Sequence, residues 1–209
     1  MDFKNVIILS PHPDDAEFSS GGTIHKLIEE GAEVWNIVFS PCNKSLPDGF
    51  KEDALFDELE KSNQRLGIKN DNIIKFRFPV REFPRYRQEI LEELIKVKRQ
   101  INPDLVLVPN SKDVHQDHHV IYEEGVRAFK STRILGYELP WNSISSVLNF
   151  FVTLKQSDLD SKIAAIEEYK SQEFREYKED NYFFYLAKIR GLQANVALAE
   201  AFELIKWVY

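Results

Sequence analysis

Residues 6–15 read Val6-Ile7-Ile8-Leu9-Ser10-Pro11-His12-Pro13-Asp14-Asp15. The continuous apolar run at the start is typical of a strand buried on both faces of a parallel sheet. Open parallel sheets bind ligands beyond the carboxyl ends of their strands, and here an imidazole and two carboxylates follow the strand. Because the two prolines restrict the backbone, we expect a stiff loop that holds a ligand in place.

Strand-like and helix-like segments alternate along the chain, which predicts βαβ units around a mostly parallel sheet. Further strands are predicted at residues 34–39, 73–78, 105–108, 133–137 and 149–154. Helices are predicted at residues 23–30, 52–66, 85–101, about 119–130, 158–172 and from 182 onward. The pattern of residues 199–209 fits a helix and a strand equally well. Since no repeat or linker interrupts the chain, we expect a single domain over residues 1–209.

The composition is that of an ordinary globular protein. Its 209 residues are 43% hydrophobic and 29% charged, with a formal net charge of -7. The negative charge argues against nucleic-acid binding, which normally needs a basic surface. No apolar run reaches the roughly 20 residues of a membrane span. The single cysteine, Cys42, excludes an internal disulfide framework, and with no signal peptide in the sequence we expect a cytoplasmic protein.

A second polar cluster follows the strand at residues 105–108 and contains Asp113, His115, Asp117, His118 and His119. If the two strands are close in the sheet, both clusters meet in one crevice. His119 is expected to be the first residue of a helix and not a ligand.

Two imidazoles and a carboxylate with one open position suit a catalytic zinc ion, whose fourth ligand is water. The same set matches the facial triad of non-haem iron enzymes, so the residues alone leave the metal open. His12 and Asp15 are three residues apart and can turn to one side, with Asp14 placed to act as a general base on a bound water. Of His115 and His118, one could ligate while the other faces the substrate.

These motifs resemble the PIG-L/LmbE-like zinc-dependent N-deacetylases. Residues 11–17 with Gly21-Gly22-Thr23 are similar to the N-terminal signature of that family, and residues 115–118 are similar to its H-x-D-H motif. Residues 169–172, Arg190-Gly191 and residues 199–202 also match. The resemblance implies a Rossmann-like three-layer α/β/α fold and removal of acyl groups from amino sugars such as N-acetylglucosamine conjugates.

The resemblance also implies roles for the residues at the motif positions. His12, Asp15 and His118 would bind one Zn²⁺ per chain, with Fe²⁺ or another divalent metal as alternatives. Asp14 would be the general base, His115 would stabilise the oxyanion, and Asp117 would orient a neighbouring histidine. Gln116 stands where the family often has proline, which affects the stiffness of the loop and not the ligands.

Substrate contacts are predicted from residues that follow other strands. The candidates are Tyr137, Glu138, Trp141, Arg87 and Arg190. Aromatic, amide and carboxylate groups after the strand at 133–137 suit a sugar ring, and an arginine could bind an anionic substrate group. For each of them, packing or a solvated surface is the competing explanation.

The leading hypothesis is therefore a deacetylase whose partner is a small N-acetylated sugar or sugar conjugate. The alternatives are another metal-dependent hydrolase or oxygenase with the same triad, and a non-catalytic domain that binds sugar or metal. Exposed aromatic residues near the C-terminal end could also support a homo-oligomer.

Overall fold

The computed structural model describes residues 3–174 and 181–208. Within these ranges the strands are β1 (Asn5–Ser10), β2 (Glu33–Val38), β3 (Ile73–Lys75), β4 (Leu105–Pro109), β5 (Arg133–Tyr137), β6 (Phe150–Thr153) and β7 (Ala199–Lys206). The α-helices are α1 (Asp15–Glu29), α2 (Ala54–Leu66), α3 (Arg87–Ile101), α4 (Gln116–Ala128), α5 (Gln156–Glu167) and α6 (Tyr182–Gln193). None of the helices in the described ranges is long and apolar enough to cross a membrane.

The strands form one mixed sheet in the order β3-β2-β1-β4-β5-β7-β6. β1 pairs in parallel with both β2 and β4, and Val6 lies opposite Val34 on one side and Leu105 on the other. The strand order therefore reverses between β1 and β4, and this reversal opens a crevice at their carboxyl ends. The two polar loops thus follow neighbouring strands, which is the condition for both clusters to meet in one crevice.

The sheet lies between two layers of helices. Val6 and Ile8 of β1 pack into a core shared with α1, α5 and α6, whereas Ile7 and Leu9 pack into a core shared with α3 and α4. Successive residues of a strand face opposite sides of its sheet. All four side chains are fully buried, because a helix layer covers each side. The expected three-layer α/β/α architecture is confirmed.

Helix α1 begins eight residues earlier than predicted, at Asp15 rather than residue 23. Its backbone leaves helical geometry at Ser20 (φ -130°, ψ 18°). Just beyond this break, the N–H groups of Gly22 and Thr23 donate to the Glu200 carboxylate at 3.1 Å and 2.7 Å. The predicted start therefore corresponds to the second segment of α1, whose first N–H groups are satisfied from a distant strand.

Helix α4 also begins earlier than predicted, at Gln116. The residue before it, His115, caps the helix because its ring nitrogen Nδ1 accepts from the Asp117 N–H at 3.2 Å. The expectation that His119 starts the helix is wrong, because the cap at His115 lets the helix begin three residues earlier, at Gln116.

Other boundaries differ from the predictions by shorter stretches. Helix α3 starts two residues later than predicted, and α5 ends at Glu167 and is followed by a short 3₁₀ turn at Lys170–Gln172. β3 is only three residues long, whereas residues 73–78 were predicted. Beyond its end, the N–H groups of Phe76 and Phe78 donate to the carbonyl oxygens of Val38 and Phe39. Residues 199–206, left undecided by their pattern, form β7, which pairs antiparallel with both β5 and β6.

Candidate active site

Three histidine and three aspartate side chains lie together at the crevice between β1 and β4. His12, Asp14 and Asp15 come from the turn that joins β1 to α1, where Asp14 is the N-cap of the helix. His115, Asp117 and His118 come from the start of α4, which follows β4. Hydrogen bonds and ring contacts join the two groups, including His12 with Asp117 and His12 with His115.

Three donor atoms in this group form a small triangle. Nδ1 of His12 is 3.1 Å from Nε2 of His118. Oδ2 of Asp15 is 3.4 Å from each of these nitrogens. Tetrahedral zinc ligands with bonds of about 2.0–2.1 Å lie about 3.4 Å from one another. The triangle therefore has the spacing that a bound divalent metal requires.

A carboxylate holds the far side of each imidazole in the triangle. Oδ2 of Asp117 is 3.2 Å from Nε2 of His12, and Oδ2 of Asp113 is 2.7 Å from Nδ1 of His118. Because an ionised carboxylate only accepts hydrogen bonds, these outer nitrogens carry the protons. The inner nitrogens are hydrogen-bonded to each other, so one of them carries a proton that a bound metal ion would replace. Carboxylates commonly orient metal-binding histidines in this way.

Asp113 belongs to the second polar cluster, but neither its residue type nor the family motif assigned it a role. The available signal was its position in the same polar loop, five residues before His118. The side chain is buried, and Oδ1 of Asp113 also accepts the N–H of His115 at 2.9 Å. Asp113 thus fixes both histidines of the second loop.

Asp15 is an anion in this site. Burial by itself raises the pKa of its carboxyl, but His118, His12 and the hydrogen bond from the His12 N–H outweigh burial and lower the pKa to about 2. The backbone N–H of His12 donates to Asp15 Oδ2 at 2.8 Å. A negative oxygen therefore faces the inner nitrogens of both imidazoles.

His115 is neutral and can donate a hydrogen bond. Burial, together with the nearby His118 and His12, lowers the pKa of His115 to about 4. Its Nδ1 accepts the Asp117 N–H, so in the neutral ring the proton is on Nε2. His12, His115 and His118 each offer a ligand atom within 4.8 Å of the other two, which places His115 beside the triangle.

A cavity of about 280 Å³ opens onto these residues. Asp14 and His115 line it together with Trp141 and Arg81, and its wall is predominantly polar. The volume is close to the lower end of the range for small-molecule sites.

The structure brings one of the five predicted substrate-binding residues, Trp141, to the cavity. Tyr137 instead lies in the core with 1% of its surface exposed, and its hydroxyl donates to the Leu9 carbonyl at 2.9 Å. Its strand position directs the ring into the helix layer rather than toward the crevice.

The three charged candidates are engaged elsewhere. Arg190 Nε donates to Glu138 Oε2 at 2.9 Å, and both residues lie beside α5 and β7, outside the cavity lining. Arg87 Nε donates to Glu124 Oε1 at 2.7 Å, and its guanidinium also pairs with Glu123. The pattern of charges along the sequence does not reveal these pairs, because they join distant elements.

A buried carboxyl that the sequence reasoning missed lies behind the loop after β1. Glu17 is fully buried, and Oε1 accepts from Asn63 Nδ2 at 2.6 Å. Asn63 accepts in turn from Asn36 at 3.2 Å, and Asn36 accepts from Ser10 at 2.7 Å. Burial raises the pKa of Glu17 to about 8. The sequence signal for this buried carboxyl was the position of Glu17 inside the motif at residues 11–17, on the face of α1 that is turned to the core.

Comparison with known proteins identifies the relatives of this chain. The family model described as PIG-L, GlcNAc-PI de-N-acetylase, matches residues 7–129. The chain is 28% identical over 193 residues to the diacetylchitobiose deacetylase of Thermococcus kodakarensis, covering 82% of this chain and 71% of that protein.

Solved structures share the fold. The N,N'-diacetylchitobiose deacetylase of Pyrococcus horikoshii superposes with a TM-score of 0.80 at 23% identity, covering 97% of this chain and 84% of that one. The 4-carboxy-2-hydroxymuconate hydratase GalB of Pseudomonas putida gives the same TM-score at 21% identity, covering 99% and 98% of the two chains. The fold therefore carries more than one reaction, and function has to be argued from the site.

Proposed function

Because the chain belongs to the PIG-L family of de-N-acetylases, we propose that it is a zinc-dependent N-deacetylase that hydrolyses the N-acetyl group of an amino sugar or sugar conjugate. The observation that carries the proposal is the triangle of His12, Asp15 and His118, with sides of 3.1–3.4 Å, beside a cavity that Asp14 also lines. The relatives named as diacetylchitobiose deacetylases support an N-acetylated sugar as the substrate class.

In this proposal His12, Asp15 and His118 hold one Zn²⁺ per chain, with Fe²⁺ or another divalent metal as the alternative. When bound, such an ion makes a water molecule more acidic and polarises the amide carbonyl. Two neutral imidazoles and one carboxylate are the ligands of many catalytic zinc sites, which keep a position open for water.

The chain's own residues supply the proton transfers. Asp14 lines the cavity and takes a proton from the attacking water. The Nε2–H of neutral His115 donates to the oxyanion that develops on the acetyl carbonyl, which is usually a large contribution to such reactions. Asp14 then returns the proton to the leaving nitrogen, so that acetate and a free amine result. Asp117 orients His12 and fixes His115 through its backbone N–H.

The second candidate function is a hydratase reaction, because a hydratase shares this fold. At 21% identity the likeness shows the fold alone, so the experiment must distinguish amide hydrolysis from water addition to a carbon–carbon double bond. A non-catalytic domain would have no use for Asp14 between two ligand positions.

We also propose a cytoplasmic enzyme that acts on a small molecule and works either alone or as a homo-oligomer. The buried, unpaired thiol of Cys42 is consistent with a reducing compartment.

The proposal is tested by acetate release from a panel of N-acetylated sugars, with zinc supplied or chelated. We expect acetate only with metal. Acetate release that is unaffected by chelation would contradict the metal requirement, and metal binding without acetate from any compound would favour another reaction of this fold.

The Asp14→Asn variant tests the role of the base. We expect it to retain its metal, measured by mass spectrometry, and to lose about 10²–10⁴-fold in kcat, the usual contribution of a positioned general base. Asp57→Asn, an exposed carboxylate on α2, is the matched control and should behave as the parent protein does. Full activity of metal-loaded Asp14→Asn would show that Asp14 is not the base.

A further inference from the structure

Among the residues that the structure describes, one cation lines the candidate active site, and no described carboxylate pairs with it. Arg81 is the only arginine or lysine among the described residues that line the cavity with His12, Asp14 and His115. Its side chain is exposed, and its Nη2 donates to Ser45 Oγ at 3.2 Å. A guanidinium has five N–H donors, so most of its hydrogen-bonding capacity faces the cavity or solvent.

The neighbouring arginines differ from Arg81. Arg77 pairs with Asp53 at 2.8 Å, and Arg85 pairs with Glu82 at 3.2 Å. For Arg81, by contrast, no carboxylate oxygen lies within 4.0 Å in residues 3–174 and 181–208. Arg77 and Arg85 are therefore engaged in ion pairs, whereas the guanidinium of Arg81 can bind an external anion.

The backbone at Arg81 is held in a conformation that arginine rarely adopts. Its φ is 68°, in the left-handed region that favours glycine or asparagine. Asp117 stabilises this conformation, since its Oδ2 accepts the Arg81 N–H at 2.6 Å and its Oδ1 accepts the Phe83 N–H at 3.3 Å. The same Oδ2 contacts Nε2 of His12.

The Asp117 carboxylate therefore contacts both the backbone of Arg81 and the ring of His12, one of the proposed metal ligands. Strained backbone of this kind concentrates at functional sites, where surrounding contacts maintain it.

We propose that Arg81 binds an anionic group of the substrate, a phosphate or a carboxylate, and so selects acidic N-acetylated sugars over neutral ones. This inference rests on the proposed deacetylase function. The planar guanidinium matches the two oxygens of either anion in a bidentate geometry, which lysine does not reproduce. Ser45, already in contact with Arg81, can donate a further hydrogen bond to the same group.

The test compares kcat/KM for acidic and neutral substrates. N-acetylglucosamine is the neutral reference, its 1-phosphate and 6-phosphate test a phosphate, and N-acetylmuramic acid tests a carboxylate. For the parent protein we expect at least one acidic substrate to be preferred. Arg81→Gly keeps the left-handed backbone without strain, and we expect it to lower that preference by about tenfold to a hundredfold, mainly through KM.

Two further variants separate charge from geometry. Arg81→Lys should retain only part of the preference, because lysine keeps the charge and loses the planar fork. Arg85→Gln removes a nearby exposed arginine outside the cavity lining and should leave the preference unchanged. An acidic-to-neutral ratio at or below one in the parent protein, or an unchanged ratio in Arg81→Gly, overturns the inference.

A binding measurement separates this inference from the deacetylase proposal. Calorimetry with glucosamine and with glucosamine 1-phosphate and 6-phosphate requires no hydrolysis. Arg81-dependent binding of a phosphate without acetate release from any substrate would overturn the deacetylase proposal and keep Arg81 as an anion site. Acetate release with no dependence on Arg81 in either measurement would overturn the anion site and keep the deacetylase proposal.

Discussion

At the scale of single residues, the site depends on which atom of each side chain faces which neighbour. The two motifs supply three histidines and three aspartates, but the outer contacts of the imidazoles of His12 and His118 decide what their inner nitrogens can do. Asp117 reaches His12 from the other loop, and Asp113 reaches His118 from five residues away. These contacts leave two inner imidazole nitrogens and one negative oxygen facing one another, a donor set suited to a cation that replaces the proton between the nitrogens.

The pKa of Glu17 predicts a pH-dependent stability. A carboxyl with a pKa of about 8 in the folded state and an ordinary value of 4.5 when unfolded favours folding below pH 4.5. That contribution is lost as pH rises toward 8, because the unfolded chain releases the proton first. We expect Glu17→Gln to gain stability relative to the parent protein by up to about 1.4 kcal/mol per pH unit between these limits.

Urea unfolding at several pH values and one fixed metal concentration measures this difference. Glu29→Gln, an exposed change on the same helix, should stay parallel to the parent protein at every pH. If the Glu17→Gln curve is also parallel, Glu17 is ionised in the folded protein at neutral pH.

At the scale of elements, a buried ion pair holds the break in α1. Glu200 of β7 accepts from the Gly22 and Thr23 N–H groups and from Lys162 of α5 at 2.6 Å. Lys162 also donates to the Ser19 carbonyl at 3.1 Å. The pair joins the broken helix to α5 and the sheet, and a Cβ on Gly21 would come within 2.9 Å of the Lys162 side chain.

We therefore expect Glu200→Gln to destabilise the protein by about 3–5 kcal/mol, because it leaves the buried Lys162 without a counter-charge. The same change in a Lys162→Met background should cost less, and the coupling is read from the four unfolding free energies of the double-mutant cycle. Glu167→Gln, exposed on α5, is the matched control. Additive costs would show that the two side chains do not act as a pair.

At the scale of the whole molecule, the sheet order brings two distant parts of the chain together. His12 and Asp15 follow β1, whereas His118 follows β4, about a hundred residues later. An ion bound by all three would link the two loops and stabilise the folded state relative to the unfolded state.

We expect zinc at about a thousand times its dissociation constant to add about 4 kcal/mol, or about 8–16 °C in Tm for a chain of this size. Thermal unfolding with zinc or with chelator measures the shift. Asp15→Asn and His118→Ala should abolish it, and His119→Gln should retain it because His119 is exposed on α4. An equal shift in all three variants would place the zinc elsewhere.

The sequence by itself determined the layers of the fold and the polar residues that face the crevice. Buried strands such as Val6–Leu9 have a continuous apolar pattern, and catalytic residue types cluster directly after them, so both signals are local. The family motif also named the residues of the triangle and Asp14, while their roles as ligands and as base stay predictions.

Tertiary structure alone decided the contacts between residues far apart in sequence. The partners of Glu200 and Asp117, the strand pairing of residues 199–206 and the burial of Tyr137 all depend on neighbours that chain proximity does not reveal. For the same reason the choice of Arg81 over Arg87 at the cavity required the fold. Burial and hydrogen bonding are properties of surroundings, and the sheet order sets those surroundings.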